Sequence, residues 1–481
     1  VTAEIPPPNA AVEEPAAPRL FGLPLYAWVL IAVAAALPVG WALGLDGEIA
    51  ERWPAPVRAT LSAMVLALEL IPSLILRGLT AFAAPLIVLA ILSAILTNDI
   101  RGRQGARMMG FYLLNTLVAM TIGLTLSNVI QPGRPSEIAQ ESATETRPRL
   151  IHVLTGEPPR AAGASAAPAP KTLRDVITDL VPRNLVQAFL ENNLAQIVLV
   201  TIAVAIALVG LRNAQAARGE TACRTVIDLV TVGFEVAMRV LLWIVALVPL
   251  AVFGVVATSL ARQGVGVFLG LGGFIATVLL GLGLQLVWYL GLLGLVGRIG
   301  PRRFLGGASD VMAMTFSTAS TAATIPITLR SLTGRLGVGR ESSQLAACIG
   351  TNFNNDGTAL YQAAAALYFA QASGVPLTFQ DQLIVMLTTL LASVGAGGIP
   401  SGSFVTMPLI FNAVRIPSDN LFILLTVDWF LDRCRTTSNV LGDMTVAVLL
   451  DRGRAAGDSG RPVIAAESPS VTSTLPPPEK S

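Results

Sequence analysis

An all-α polytopic membrane protein is predicted by three observations. The chain of 481 residues is 53% hydrophobic and only 13% charged, with a mean hydropathy of +0.68, which is outside the range of soluble globular domains. Apolar runs long enough to cross a bilayer recur along it. Finally, the stretch 421–450 is apolar at both ends but carries Asp428, Asp432, Arg433, Arg435, Asn439 and Asp443 in its middle. At about 100° per residue, Asp428, Asp432, Arg435, Asn439 and Asp443 share an arc of roughly 80°, with Arg433 well off it. Exposing the five ionised groups of this stretch to lipid would cost on the order of 12–18 kcal/mol, at about 2.5–3.5 each. That helix face must therefore look onto protein, water or a ligand.

The remaining composition narrows the function. A net charge of +2 is too small for a nucleic-acid partner. The single histidine, His152, lies in a polar stretch, which argues against His-dependent catalysis and multi-His metal sites. Cys223, Cys348 and Cys434 are unevenly spaced and sit in or beside apolar segments, so they read as packing residues rather than a disulfide or zinc framework. Neither an enzyme nor a resident cofactor is expected.

In chain order, 1–20 reads as a Pro/Ala/Glu-rich disordered tail. A first span covers 25–45. The segment 61–96, which holds Glu69 and Arg77, exceeds one bilayer thickness at about 1.5 Å per residue, so it is expected to tilt or to break near Pro85. A third span covers 108–130. Residues 131–178 form a polar, Pro/Ala-rich loop. Spans follow at 194–211, 226–260 and 265–296; the middle one opens amphipathically, with Asp228, Glu235 and Arg239, and is expected to be partly shielded by neighbours. From 453 the chain is again polar and tail-like. The divisions are thus 1–20, 21–130, 131–178, 179–262, 263–452 and 453–481.

Arginine placement sets the orientation, because basic loops stay cytoplasmic. Arg101, Arg103 and Arg107 follow the second span, Arg212, Arg218 and Arg224 the fourth, and Arg298, Arg302 and Arg303 the sixth. Every second loop is basic, which places both termini in the cytoplasm of a cell-membrane protein and the 131–178 loop outside.

Beyond Arg303 the pattern changes. One crossing between Arg303 and the cluster Arg330, Arg335 and Arg340 would set two basic clusters on opposite sides, so a re-entrant hairpin with a Ser/Thr-rich middle, TFSTASTAATIPITL, is expected. The run 345–371 is interrupted by Asn352, Asn354, Asn355, Asp356 and Gly357, which predicts two half-helices around an unwound centre whose carbonyls and carboxylate suit a cation. A second hairpin follows, with Gly395, Gly397, Gly398, Pro400 and Gly402 at its centre. Two interrupted segments in corresponding positions are the pattern of an inverted-repeat secondary transporter with a midplane site.

The hairpin tip ending ATIPIT, the segment NNDGTALYQ, the hairpin ASVGAGGIPSG and the run DWFLDRCRTTSNVLGD resemble, in content and order, the glutamate/aspartate transporter family of dicarboxylate/amino acid:cation symporters. The resemblance covers roughly 61–450 apart from the loop. It implies eight transmembrane helices, two oppositely oriented re-entrant hairpins and a homotrimer. In each protomer a transport core (263–452 with the third helix) would move against a scaffold (179–262) in an elevator-type cycle. It further implies Arg435 on the side-chain carboxylate of an acidic amino acid, Asp432 on its ammonium, and Asn439, Thr358, Ser320 and Thr321 at the α-carboxylate, with Thr436 and Gly398 also lining the site. Sodium, as a coupling ion, would be held by Asp443 with Gly350, Asn354 and Asn439; by the Ser393, Ala396 and Asn352 carbonyls; and by Asp356 with Asn354, Tyr112 and Thr116, near Asn115.

This chain departs from the family pattern at three positions. Asn355 stands where the family has methionine, Asn115 where a threonine hydroxyl is common, and Gln362 where potassium-counter-transporting members have glutamate. Sodium coupling without potassium counter-transport is expected. A proton- or sodium-coupled C4-dicarboxylate symporter is the alternative; Asp432 favours an amino acid, because a dicarboxylate offers it no cation. An aspartyl protease reading of Asp428 and Asp432 is disfavoured because Arg435 keeps its neighbours ionised.

Overall fold

The computed structural model describes residues 19–20, 23–44, 53–97, 102–134, 150–155, 178, 181–182, 184–191, 193–264, 266–396, 402–417 and 421–455. Apart from a two-residue antiparallel pairing of β1 (Arg19–Leu20) with β2 (Leu23–Pro24), these residues form helices and their connections. The tail calls, most of 131–178 and Gly398 fall outside the described residues.

Helices α1 (Leu25–Leu43), α2 (Ala55–Thr97) and α3 (Gly102–Ile130) open the chain. The short α4 (Leu150–Thr155) and α5 (Leu185–Leu190) precede α6 (Leu194–Ala217). Then come α7 (Ala222–Ala246), α8 (Val248–Gln263) and α9 (Gly266–Leu295). Among the described residues six helices, α1, α2, α3, α6, α7 and α9, are long and apolar enough to cross a membrane, and α8 is a shorter apolar helix.

Of the two alternatives expected for 61–96, a tilt or a break near Pro85, the break does not occur: the segment lies in one helix of 43 residues, continuous through Pro72 and Pro85. Neighbouring helices offset the hydrogen bonds that a proline removes in membrane helices. Here the Leu68 carbonyl, four residues before Pro72, lies against Gly254 of α8, where any Cβ would overlap it and come within 2.9 Å of the Pro72 ring. Conversely, the single span expected at 226–260 is two helices, parted at Leu247 with a proline in the first turn of α8. Pro249 has no N–H for the Val245 carbonyl and clashes with that turn, so the helix ends and restarts.

Helix breaks fall within 301–330 and 345–371. α10 (Pro301–Thr318) and α11 (Thr321–Arg330) pack against each other across a two-residue tip. Ala319 there adopts a left-handed backbone, φ 53°, and the Ser320 hydroxyl caps α11 by accepting from Ala323 N at 3.1 Å. After a π-helical turn at Ser331–Arg335 come α12 (Arg340–Phe353) and α13 (Asp356–Ala372), parted by Asn354 and Asn355. α14 (Phe379–Ala396) and α15 (Gly402–Ala413), the arms of the expected second hairpin, pack against each other, with 397–401 between them outside the described residues, and a 3-10 turn at Leu421–Leu424 leads into α16 (Leu425–Ala455).

Packing sorts the helices by neighbour. α1, α2, α6, α7 and α8 contact one another, whereas α3, α9, α12 and α13 surround α16. The second hairpin touches both sets, with α14 against α2 and α6 as well as α3 and α13.

Candidate functional site

The charged face of α16 is turned inward. Arg435 has no solvent exposure, and Asp428, Asn439 and Asp443 are buried. Its position is set by three groups. Arg435 Nη2 lies 2.8 Å from Asp428 Oδ1, seven residues earlier, and 2.8 Å from Asp432 Oδ1, three residues earlier. The guanidinium carbon lies 3.9 Å from the centroid of the Tyr361 ring on α13. This geometry gives Asp428, unassigned by sequence, the task of orienting Arg435. The Nε and Nη1 hydrogens of Arg435 remain buried and unpartnered. An orphaned cationic donor inside a membrane protein is costly, and a planar carboxylate is the group whose geometry satisfies it. Asp432, at 35% side-chain exposure, has its carboxylate accessible beside it.

Asn439 connects this cluster to the interrupted segment. Its side-chain oxygen accepts from Gly357 N at 2.8 Å, and its Nδ2 donates to Thr358 Oγ1 at 3.3 Å and Asn355 Oδ1 at 3.4 Å. Thr436 donates its hydroxyl hydrogen to the Asp432 carbonyl at 2.7 Å, so its oxygen can act on a ligand only as an acceptor.

One turn further along α16 lies an oxygen-rich pocket suited to a hard cation. Asn354 Nδ2 donates to the Asn439 carbonyl at 2.8 Å and to Asp443 Oδ1 at 2.9 Å, while its Oδ1 is buried without a partner. The pocket requires a glycine at 350. A Cβ there would overlap the Asp443 carboxylate and fall 2.6 Å from the Tyr112 hydroxyl. Gly350→Ala is therefore expected to weaken sodium binding at least about tenfold, through strain of about 1–3 kcal/mol, measured by sodium titration of the purified protein. Unchanged sodium affinity would remove Gly350 from the pocket.

Asp356 sits beside it, fully buried, with Oδ1 accepting from Thr116 Oγ1 at 2.6 Å and Oδ2 from Tyr289 on α9 at 2.7 Å. Tyr112 donates to the Ala346 carbonyl at 2.9 Å. Asn115 is buried, but its side-chain oxygen accepts from Trp288 Nε1 at 3.0 Å and its backbone carbonyl from Gln285 at 3.3 Å. Sequence reasoning missed Tyr289, Trp288 and Gln285, because α9 is almost uniformly apolar and offers no polar stripe to read.

Among the hairpin residues, Ser320 and Thr321 form the capped start of α11, and the Ser320 hydroxyl is engaged in that cap. Arg433, off the charged arc, ties α10 to α16 by donating to the Phe316 and Ser317 carbonyls at 3.3 and 3.1 Å, and stacks over Tyr26. Asn352 lies in the last turn of α12 and Ala396 ends α14. The Ser393 carbonyl accepts from Asn355 Nδ2 at 2.9 Å. Gln362, neutral and buried, donates to Thr406 Oγ1 of α15 at 2.6 Å.

Known proteins share this sequence along most of its length. An excitatory amino acid transporter of Caenorhabditis elegans is 29% identical over 409 residues, covering 77% of this chain and 78% of that protein. Excitatory amino acid transporter 2 of Homo sapiens is 29% identical, covering 77% and 70%. The neutral amino acid transporter B(0) of Homo sapiens is 30% identical over 457 residues, covering 88% and 78%. Residues 25–453 match the sodium:dicarboxylate symporter family. With that match across the whole helical body and around the buried Arg435, the chain is a multi-pass membrane protein belonging to the sodium:dicarboxylate symporter family.

Proposed function

We propose that this chain is a sodium-coupled symporter of an acidic amino acid, aspartate or glutamate. The carrying observation is the buried Arg435 guanidinium, held on one nitrogen by Asp428 and Asp432 and unsatisfied on the others. A side-chain carboxylate supplies the missing acceptors, and the accessible Asp432 receives the substrate ammonium. The α-carboxylate is placed by Asn439, Thr358 and the first hairpin tip at Ser320 and Thr321, with Gly398 of the second hairpin closing over it. Sodium is taken by Asp443 with the Asn439 and Gly350 carbonyls and the orphaned Asn354 oxygen, and near Asp356 with Thr116.

Names of relatives pull in two directions, since one similar protein is a neutral amino acid transporter; the charged Arg435 favours acidic substrates. The family description names dicarboxylates, which keeps a C4-dicarboxylate as the second reading. The test is uptake of labelled aspartate into proteoliposomes under independent sodium, proton and potassium gradients. Uptake driven by inward sodium and indifferent to internal potassium is expected, consistent with Gln362. Stronger competition by succinate than by aspartate would select the dicarboxylate reading.

Arg77 on α2 and Asp228, Glu235 and Arg239 on α7 are exposed on the chain, beside Leu229 and Trp243 at 70% exposure. Charges of both signs are costly in lipid, which supports a homo-oligomer; the number three is what the family resemblance implies. A monomeric mass in mild detergent would remove it. The elevator-type motion of α3 and α9–α16 against α1, α2 and α6–α8 would be lost if labels on α13 and α2 kept one distance throughout transport. Arginine placement sets both termini on the cytoplasmic side of the cell membrane; a cysteine near residue 460 reactive only from outside would reverse that.

A further inference from the structure

The second hairpin is joined to the unwound centre of α12–α13 by a side chain. Asn355 is buried at 8% exposure, and its amide nitrogen donates to the Ser393 carbonyl of α14 at 2.9 Å. Its amide oxygen faces the other way and accepts from Asn439 Nδ2 at 3.4 Å. Asn439 is in turn fixed by Gly357 N and Thr358. The two contacts fix the orientation of the amide. Flipping it would set an N–H2 against the Asn439 N–H2 and an oxygen against the Ser393 carbonyl.

The Ser393 carbonyl is one of the oxygens expected to hold a cation under the second hairpin. A primary amide hydrogen carries partial positive charge and makes with a carbonyl the contact an alkali ion would otherwise make. An N–H2 at hydrogen-bonding distance also raises the local electrostatic potential, which disfavours a cation there. The Ser393 carbonyl is thus partnered within the protein, unlike the Asn354 side-chain oxygen beside Asp443, which has no partner.

We propose that Asn355 is a positioning residue that latches the second hairpin to the substrate-binding Asn439, standing in for a coupling cation at the Ser393 carbonyl. The latch makes closure of this hairpin less dependent on sodium. It rests on the proposed function for the cation that the amide replaces, for the role of Asn439 and for the choice of probe.

The test measures aspartate binding by the purified full-length protein at several sodium concentrations, with Asn355→Asp and Asn355→Met beside the parent chain. Asparagine and aspartate are isosteric, so Asn355→Asp removes the donor and adds a cation ligand without a change of volume; Asn355→Met removes the donor alone. In both variants the slope of log Kd against log sodium concentration is expected to steepen by about one, so that a tenfold drop in sodium costs about tenfold more affinity than in the parent. Hydrogen exchange of 386–396 in sodium-free buffer gives a readout without substrate. Protection is expected in the parent and is lost in both variants. A slope unchanged or shallower in the variants, or equal exchange in all three proteins, overturns the latch. Absence of aspartate binding by the parent at any sodium concentration would instead strike the acidic amino-acid reading, and the exchange comparison would still decide on the latch.

Discussion

Replacing Arg435 by cysteine is expected to abolish acidic amino-acid uptake and to let neutral amino acids compete for the site. Arg435 is fully buried with Nη2 at 2.8 Å from both Asp428 and Asp432. Removing one member of a buried ionic cluster costs about 3–5 kcal/mol, and a bidentate partner for a carboxylate disappears with it. At about 1.4 kcal/mol per tenfold, aspartate affinity is expected to fall by at least about 100-fold. The same substitution leaves Asp428 and Asp432 without their cation, so lower yield of folded protein is expected as well. Arg435→Lys separates the two effects. Lysine keeps the charge that Asp428 and Asp432 require, but lacks the planar fork and the stacking on Tyr361. It should restore yield while leaving affinity reduced by about tenfold or more. Calorimetric titration with aspartate, and competition by a neutral amino acid such as serine, read both outcomes. Unchanged aspartate affinity in Arg435→Cys would detach this residue from the substrate.

What made Arg435 legible was local. Asp428, Asp432, Arg435, Asn439 and Asp443 recur at helical spacing, so one helix displays them together whatever else the chain does. The unwound centre was legible for a similar reason, since Asn354, Asn355 and Gly357 are poor helix formers in an otherwise apolar run. Partners contributed by distant segments were not. Tyr361 lies under Arg435, and Tyr289 reaches Asp356, across gaps in sequence that no periodicity bridges. Proline proved ambiguous in isolation: Pro249 ends a helix because it falls where α7 would have to continue, whereas Pro72 and Pro85 lie inside α2 without interrupting it. Whether a proline breaks a membrane helix depends on what the neighbouring helix offers the released carbonyl, and that is a property of packing. Arg433 shows the same limit. Off the charged arc, it reads as structural, but its partners, two backbone carbonyls of the first hairpin, come from a distant segment.

Asp443→Asn is expected to remove about one ion from the sodium dependence of substrate binding with little change in packing. The substitution is isosteric, and the site keeps an oxygen that can still accept from Asn354 Nδ2, now 2.9 Å from Asp443 Oδ1. What is lost is one full negative charge in a pocket that is 2% exposed. At a contact distance of about 2.4 Å and an effective dielectric of about 20, one unit charge on another is worth roughly 7 kcal/mol before desolvation is subtracted. A net loss near half of that is about 100-fold or more in sodium affinity. Because the ion and the substrate are linked through Asn439, whose carbonyl faces the Asn354 amide while its side chain holds Gly357 N and Thr358, aspartate affinity at fixed sodium should fall in parallel, and its dependence on sodium should become shallower by about one ion. Asp356→Asn serves as the contrast. Both oxygens of Asp356 already accept hydroxyl hydrogens, from Thr116 and Tyr289, so an amide there sets an N–H2 against a hydroxyl donor and loosens α3 and α9 around the site. Thermal stability should therefore drop in Asp356→Asn and hold in Asp443→Asn, while the sodium slope becomes shallower in both, since each carboxylate is proposed to hold an ion. An Asp443→Asn protein with the parent's sodium slope would reduce Asp443 to a structural partner of Asn354.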